Sequence, residues 1–383
     1  MSILLGVTAT KFFTTVGYII VALLTLMVMI VIHEFGHYIV GKLLKFKINE
    51  FAIGFGPPIF RFMMRSGEYF SIRPIPLGGF CAFEGEDAES VVEGSFNSQA
   101  PWKRILVLMA GVTFNIISAF VIFGICFSAY GYAFPRVEGF YESSDPSFVH
   151  SLQKGDILYK LDGKNIYSFT SFNISTIIQK ADSDTMTAVV IRNGKKVNIE
   201  IKVGEFAAPV YDESAYDENG ALIEGSVPVD YELYRGLGVT TSTALYKVNF
   251  FEGIWRGMVY SWQIIVFLFQ TIGGLFTGAV AVKGSLGGPI TTVSVIANTV
   301  SYTGFRGVLT LLAMMSANVA IFNILPIPAL DGSKIVFTVI EWIRGKPLNR
   351  KVEAIISTIG LILLFGMTIV FDIINLGFIG SLF

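Results

Sequence analysis

The stretch FFTTVGYIIVALLTLMVMIVIHEFGH, residues 12–37, decides the architecture of this chain. Its first 21 residues, Phe12 to Ile32, carry no charge. At about 1.5 Å per residue they are long enough to cross a hydrocarbon core roughly 30 Å thick. The run is too long for a signal peptide and has no small-residue cleavage site before HEFGH. We therefore predict a transmembrane helix over residues 12–41, with HEFGH inside it.

The composition agrees with a membrane protein. Of the 383 residues, 53% are hydrophobic and only 15% are charged. A formal net charge of -1 provides no basic surface for nucleic acid, so we expect no nucleic-acid partner. Cys81 and Cys126 are far apart in the sequence, which indicates neither a disulfide framework nor a cysteine metal site.

Three further uncharged runs meet the same length test for a transmembrane helix. They predict helices over residues 103–130, 306–331 and 353–379. One more apolar run, 257–282, could be a fifth span. Arg256, Lys283 and several polar side chains interrupt its apolar surface, so we prefer an interfacial or re-entrant region over residues 256–304. The expected fold is a polytopic α-helical membrane protein with four transmembrane helices.

Lysine and arginine indicate the orientation, because they are retained on the cytoplasmic side of a membrane. They are frequent in the loops at 42–101 and 332–352, and none follows Phe371. We expect a multi-pass protein of the cell (inner) membrane with both termini outside and HEFGH near the cytoplasmic face.

The segment between the second span and residue 256 is predicted to be external. Strand-like runs separated by turn signals indicate an α+β domain over residues 132–204. The sequence SLQKGDILYKLDG, residues 151–163, resembles the core of PDZ domains, so one PDZ-like domain is implied, acting as a peptide binder or as a size filter. Residues 205–255 are rich in acidic side chains, glycine and proline, and we expect an acidic linker there.

The HEFGH motif fits H-E-x-x-H, which places His33 and His37 on one helix face. Two neutral imidazoles at this spacing can share a zinc ion that keeps an open position for water. Glu34 would take a proton from that water and pass it to the leaving amine. Ionisable groups at this depth are costly, which favours a functional site over a chance pentapeptide.

A third protein ligand has to be a carboxylate, because the only other histidine, His150, is predicted outside. Asp331 is expected at the same cytoplasmic-side depth as His37, at the end of the third span. The alternative is a turn or N-cap aspartate, since Asp331-Gly332 is a common turn signal. Pro326 and Pro328 disrupt helical hydrogen bonds before it, which favours a polar cavity and hence a ligand.

HEFGH, a PDZ-like insert and NILPIPALDG at 323–332 together resemble the site-2 proteases, most closely the bacterial regulator of sigma-E protease. The resemblance extends over nearly the whole chain. It implies that Asp331 completes the zinc site and that Asn323 helps to position the substrate peptide. Gly111 and Asn115 also look like family features, although close helix packing is their plainer interpretation.

Residues 50–85 read as strand, turn and strand, a β-hairpin within the loop 42–101. In the family this resembles a membrane-associated β-loop, and it implies that Gly54, Phe55 and Gly56 position the substrate. A sheet edge could hold an unwound transmembrane segment in an extended form by strand addition. The alternative is a cytoplasmic hairpin that only caps the helices.

The resulting expectation is a zinc endopeptidase that cuts transmembrane protein substrates within the lipid bilayer. By resemblance, another protease trims the substrate first and the product is a released fragment such as an anti-sigma factor. One alternative is a membrane-anchored zincin with a water-facing catalytic domain and a glutamate as third ligand. Another is a non-catalytic PDZ-bearing membrane scaffold or transporter.

Overall fold

The computed structural model describes residues 2–86, 95–141, 148–167, 172–181, 183–212, 223, 226–277 and 287–375. The chain forms two compact units. The first consists of residues 1–126 and 250–383, and the second of residues 127–249. The described residues stop at 277 and at 375, so the predicted segments 257–282 and 353–379 extend beyond them at their C-terminal ends.

Eight helices follow one another in the described part of the chain. They are α1 Ser2–Leu43, α2 Pro101–Tyr130, α3 Phe172–Gln179, α4 Phe250–Thr277, α5 Pro289–Thr303, α6 Phe305–Ile324, α7 Asp331–Arg344 and α8 Arg350–Ile374. All except α3 contribute to the helical unit.

Four of the described helices are long and apolar enough to cross a membrane, as predicted. They are α1 from Phe13, α2, α6 and α8. The helix α4 is not among them, although Gly253 and Gly257 place it against Gly124 and Phe123 of α2. Its position relative to a bilayer stays a prediction.

The third span is shorter than the 306–331 segment that hydropathy indicates. The helix α6 ends at Ile324, and α7 begins at Asp331. Pro326 lacks the N–H that would continue the helical hydrogen bonding, and Pro328 repeats the interruption. Asp331 is therefore the first residue of a new helix rather than the last residue of the span.

A four-stranded sheet follows α1. Its strands are β1 Ile48–Phe55, β2 Phe60–Met63, β3 Tyr69–Ile72 and β4 Ile75–Phe83, in the order β2-β3-β1-β4. The predicted hairpin is present as the antiparallel pair β2 and β3, but β3 also runs parallel to β1. Phe51, Cys81 and Phe83 of this sheet pack with Tyr38 of α1 and Val107 of α2. In this strand order β4 is at the edge of the sheet, and the shared core holds it against α1.

The second unit contains a larger sheet. Its strands are β5 Tyr132–Phe140, β6 Ile157–Leu161, β7 Lys164–Asn165, β8 Thr185–Arg192, β9 Lys195–Lys202 and β12 Val239–Tyr246, while β10 Gly204–Val210 and β11 Asp230–Gly236 pair separately. An apolar core that includes Val137, Leu158 and Val190 lies beneath it.

The predicted acidic linker 205–255 needs correction. The strands β10 and β11 lie largely within it, and β12 pairs with β5 across more than 90 residues of chain. The less exposed positions of β12 are Val239, Thr240, Ser242, Ala244 and Tyr246, and the threonine and serine among them interrupt the hydrophobic pattern that would predict a strand. Residues 213–222, the most acidic stretch, lie outside the described residues.

Candidate metal centre

Two histidines of α1 form the first half of the candidate site. His33 and His37 are one helical turn apart, and each is only 6% exposed. Their Nε2 atoms lie 3.1 Å from each other. The helix thus directs two imidazole nitrogens to one point inside a span that is long and apolar enough to cross a membrane.

Asp331 brings a carboxylate to the same point. Its Oδ2 lies 2.9 Å from His33 Nε2 and 3.3 Å from His37 Nε2. The break after α6 allows this approach, because Gly332 lies against the backbone at the end of α6. A Cβ at position 332 would come within 2.5 Å of the Ile324 carbonyl oxygen. Glycine is therefore required for the chain to turn back tightly into α7.

The spacing of these three atoms fits a bound cation. Zinc with tetrahedral bonds of about 2.0–2.1 Å places its ligand atoms about 3.3 Å apart. The observed separations are 2.9, 3.1 and 3.3 Å. Two imidazole nitrogens and a carboxylate oxygen are also a donor set that zinc favours. Among the described residues, His33, His37 and Asp331 are the group able to hold a metal ion, and it contains no glutamate.

Glu34 lies beside this cluster. Its Oε2 accepts a hydrogen bond from the backbone N–H of Cys81 in β4, at 3.0 Å. Glu34, His37 and Asp331 line a cavity of about 340 Å³, together with Lys334 of α7. The carboxylate is therefore held next to a space that water or a peptide can enter.

The helix α2 supports both imidazoles. Nδ1 of His37 donates to the Val107 carbonyl oxygen at 2.8 Å, and Nδ1 of His33 lies 3.3 Å from Asn115 Nδ2. Between them, a Cβ at Gly111 would lie 2.5 Å from His37 Nε2 and 2.7 Å from His33 Nε2. The sequence interpretation of Gly111 and Asn115 as packing residues missed these contacts; their spacing of four in an apolar helix is the available signal.

A family model described as peptidase family M50 matches residues 21–367. The match extends over both sequence motifs and both units of the fold. The chain belongs to peptidase family M50. This result confirms the resemblance to the site-2 proteases that HEFGH and the LDG segment indicate.

Curated relatives agree with the M50 assignment. A Clostridium perfringens protein is 31% identical over 357 residues, which cover 93% of this chain and 97% of the relative. A Fusobacterium nucleatum protein is 31% identical over 360 residues, covering 90% and 94%, and a Brucella suis protein is 31% identical over 375 residues, covering 92% and 93%. Each of the three carries the name "Putative zinc metalloprotease" followed by a locus tag.

The remaining predicted site residues of this M50 peptidase lie at the end of α6 and around the end of β1. Asn323 is half-buried in the last turn of α6. Gly54 and Gly56 have positive φ angles of 88° and 97° around the end of β1, and Phe55 stacks on Phe80 of β4. Among the strands that the structure describes, β1 is paired on both sides and β4 on one side, so the open edge beside Glu34 belongs to β4.

Proposed function

We propose that this M50 peptidase is an intramembrane zinc endopeptidase that hydrolyses peptide bonds within transmembrane segments of membrane proteins. One observation carries the proposal. The cluster of His33, His37 and Asp331 includes two residues of a helix that is long and apolar enough to span a membrane. Membership in a peptidase family favours this function over a scaffold or transporter.

In this proposal His33, His37 and Asp331 hold the zinc ion. When bound, zinc supplies a Lewis acid that makes a coordinated water acidic enough to act near neutral pH. Glu34 accepts the proton of the attacking water and returns it to the leaving amine. The Cys81 N–H fixes the orientation of the Glu34 carboxylate through its Oε2.

The substrate segment has to be unwound before it can be cut, since helical carbonyls are already hydrogen-bonded. We infer that it binds as an added strand at the free edge of β4. The N–H of Cys81 points away from β1, toward Glu34, and so is at that edge. Asn323, and Gly54, Phe55 and Gly56 at the end of β1, are proposed to position the peptide on either side of the cleavage site.

The proposed topology follows the distribution of lysine and arginine. Both termini and residues 132–249 lie outside the cell membrane, and the metal centre lies near the cytoplasmic face. Residues 151–163 support a PDZ-like assignment for the second unit, since they include a turn at Gly155 and the strand β6. The proposed role is the second cut of regulated intramembrane proteolysis, after another protease trims the external part of a substrate such as an anti-sigma factor.

The test compares the detergent-purified wild type with Glu34→Gln. We expect each to hold about one zinc per chain, because Glu34 is not a ligand, while cleavage of a model transmembrane substrate falls about 10²–10⁴-fold in the variant. Glu84→Gln is the matched control, since Glu84 follows β4 and its side chain forms a long ion pair of 4.0 Å with Lys47. It should cleave normally. Normal cleavage by Glu34→Gln, or a wild type without zinc, would overturn the proposal.

A further inference from the structure

Three residues of α2 face the two imidazoles of α1. Val107, Gly111 and Asn115 are spaced by four, so they lie along one side of the helix. Val107 contacts His37, Asn115 contacts His33, and Gly111 lies between the two rings. This side of α2 therefore contacts Nδ1 of both histidines, while both Nε2 atoms face Asp331.

A backbone carbonyl determines which ring nitrogen of His37 carries the proton. Nδ1–H donates to the Val107 carbonyl oxygen at 2.8 Å, which leaves the Nε2 lone pair facing Asp331. The same carbonyl accepts the helical hydrogen bond from residue 111. Because residue 111 is glycine, no side chain blocks the imidazole from that carbonyl.

His33 has no such carbonyl, and its Nδ1 faces the carboxamide of Asn115. Asn115 is fully buried, and its Oδ1 has no hydrogen-bond partner among the described residues. A His33 that binds metal through Nε2 carries its proton on Nδ1, which requires an acceptor. Rotating the amide by 180° exchanges its oxygen and nitrogen and presents Oδ1 to that proton.

We propose that Asn115 is a positioning residue for the metal centre, whose carboxamide oxygen accepts the hydrogen bond of His33 Nδ1–H and so fixes Nε2 as the ligand. The inference rests on the proposed zinc function. It differs from a packing role, in which the amide only fills space between α1 and α2. An outer partner of this kind orients a ligand histidine and raises its affinity for the metal.

The experiment measures zinc affinity by competition with a chelator for purified wild type, Asn115→Leu and Asn115→Asp. Leucine has a similar volume but no acceptor, so we expect zinc binding to weaken about 10–100-fold. Aspartate restores an acceptor and should bind zinc at least as tightly as the wild type. Asn298→Leu is the control, because Asn298 lies in α5, which packs at Ala22 of α1, eleven residues before His33.

A second readout uses Co²⁺ alone as the probe. Its visible absorption reports ligand geometry, so Asn115→Leu should change the spectrum and Asn115→Asp should restore the wild-type bands. A structural role predicts the reverse order, since a buried aspartate disturbs packing more than leucine does. Equal zinc affinity in wild type and Asn115→Leu, or a weaker affinity for aspartate than for leucine, would overturn the inference. A wild type that binds zinc keeps the proposed function intact in either case.

Discussion

Two aspartates in the helical unit have opposite surroundings. Asp331 begins α7, and its carboxylate faces two imidazole nitrogens. Asp372 lies in the last turn of α8 and is 6% exposed. It accepts hydrogen bonds from the backbone N–H groups of Gly288, Ile290 and Thr291 and from the Thr291 hydroxyl.

The difference lies in what the carboxylate meets. The donors around Asp372 belong to the N-terminus of α5, where backbone N–H groups have no helical partner and the helix dipole favours a negative charge. The hydrogen-bond partners of that carboxylate among the described residues are all donors. Asp331 instead faces the Nε2 atoms of two histidines. When the proton of each imidazole is on Nδ1, both Nε2 atoms have a lone pair, and these lone pairs point to the same place as those of the Asp331 carboxylate. Burial alone therefore does not indicate function, whereas converging lone pairs indicate a site that can hold a cation.

The largest effect is expected at Asp331. We expect Asp331→Ala to lower zinc affinity by roughly 10³-fold or more, since losing a ligand costs more than the 10–100-fold lost with an outer partner. Cleavage should fall to background while the helical fold remains, as measured by zinc content, substrate cleavage and circular dichroism. Retention of one tightly bound zinc would show that Asp331 is not a ligand and is a turn or N-cap aspartate, which is the alternative given in the sequence analysis.

Asp372→Ala should have the opposite effect. It leaves several buried donors of α5 without an acceptor, and we expect the free energy of unfolding to fall by about 3 kcal/mol. Zinc content of the folded protein should not change. Thermal unfolding and metal analysis on the same sample measure both quantities, and loss of zinc without loss of stability would contradict the structural role.

We expect Gly111→Ala to disturb the candidate metal centre without removing a polar group. The new methyl group would lie 2.5 Å from His37 Nε2, and a displacement of about 1 Å can lower the rate about 10²-fold. Gly366→Ala is the matched control, because nothing lies within 4 Å of a Cβ at that position of α8. We expect the control to cleave normally. Equal cleavage by both variants would mean that α2 does not constrain the imidazoles.

Another buried carboxylate, Glu68, should behave like Asp372. It accepts hydrogen bonds from Lys42, Tyr38 and Ser66 and so ties the β2–β3 hairpin to α1. Burial by itself would raise the pKa of Glu68, but the hydrogen bonds from Lys42 and Tyr38 outweigh it and lower the pKa to about 2.

A lowered pKa stabilises the fold above the unfolded-state pKa of about 4.3, and this stabilisation disappears as the pH falls toward 2. We expect Glu68→Gln to cost about 1–2 kcal/mol at pH 7 and to flatten the loss of stability between pH 4 and 2. Urea unfolding at several pH values measures this, with Glu84→Gln as the control. An unchanged pH profile would show that Glu68 contributes no linked stability.

Part of the candidate site was predictable because it depends only on residues that are close together in the sequence. The spacing of His33 and His37 on a helix, and the length of the apolar run before them, follow from the geometry of a single helix. Asp331 was predictable from its expected depth and from the prolines before it, although not its place at the start of α7.

The rest depends on contacts between distant segments. The outward direction of the Cys81 N–H requires the pairing of β4 with β1, and the position of β12 requires a partner more than 90 residues earlier. The roles of the Val107 carbonyl, Gly111 and Asn115 depend on how α2 packs against α1. The sequence by itself determined the apolar spans, the two motifs that contribute the candidate ligands and the resemblance to the family. Only the tertiary structure decided which buried polar groups meet donors and which meet lone pairs, because hydrogen-bond partners are set by packing and not by the residue type.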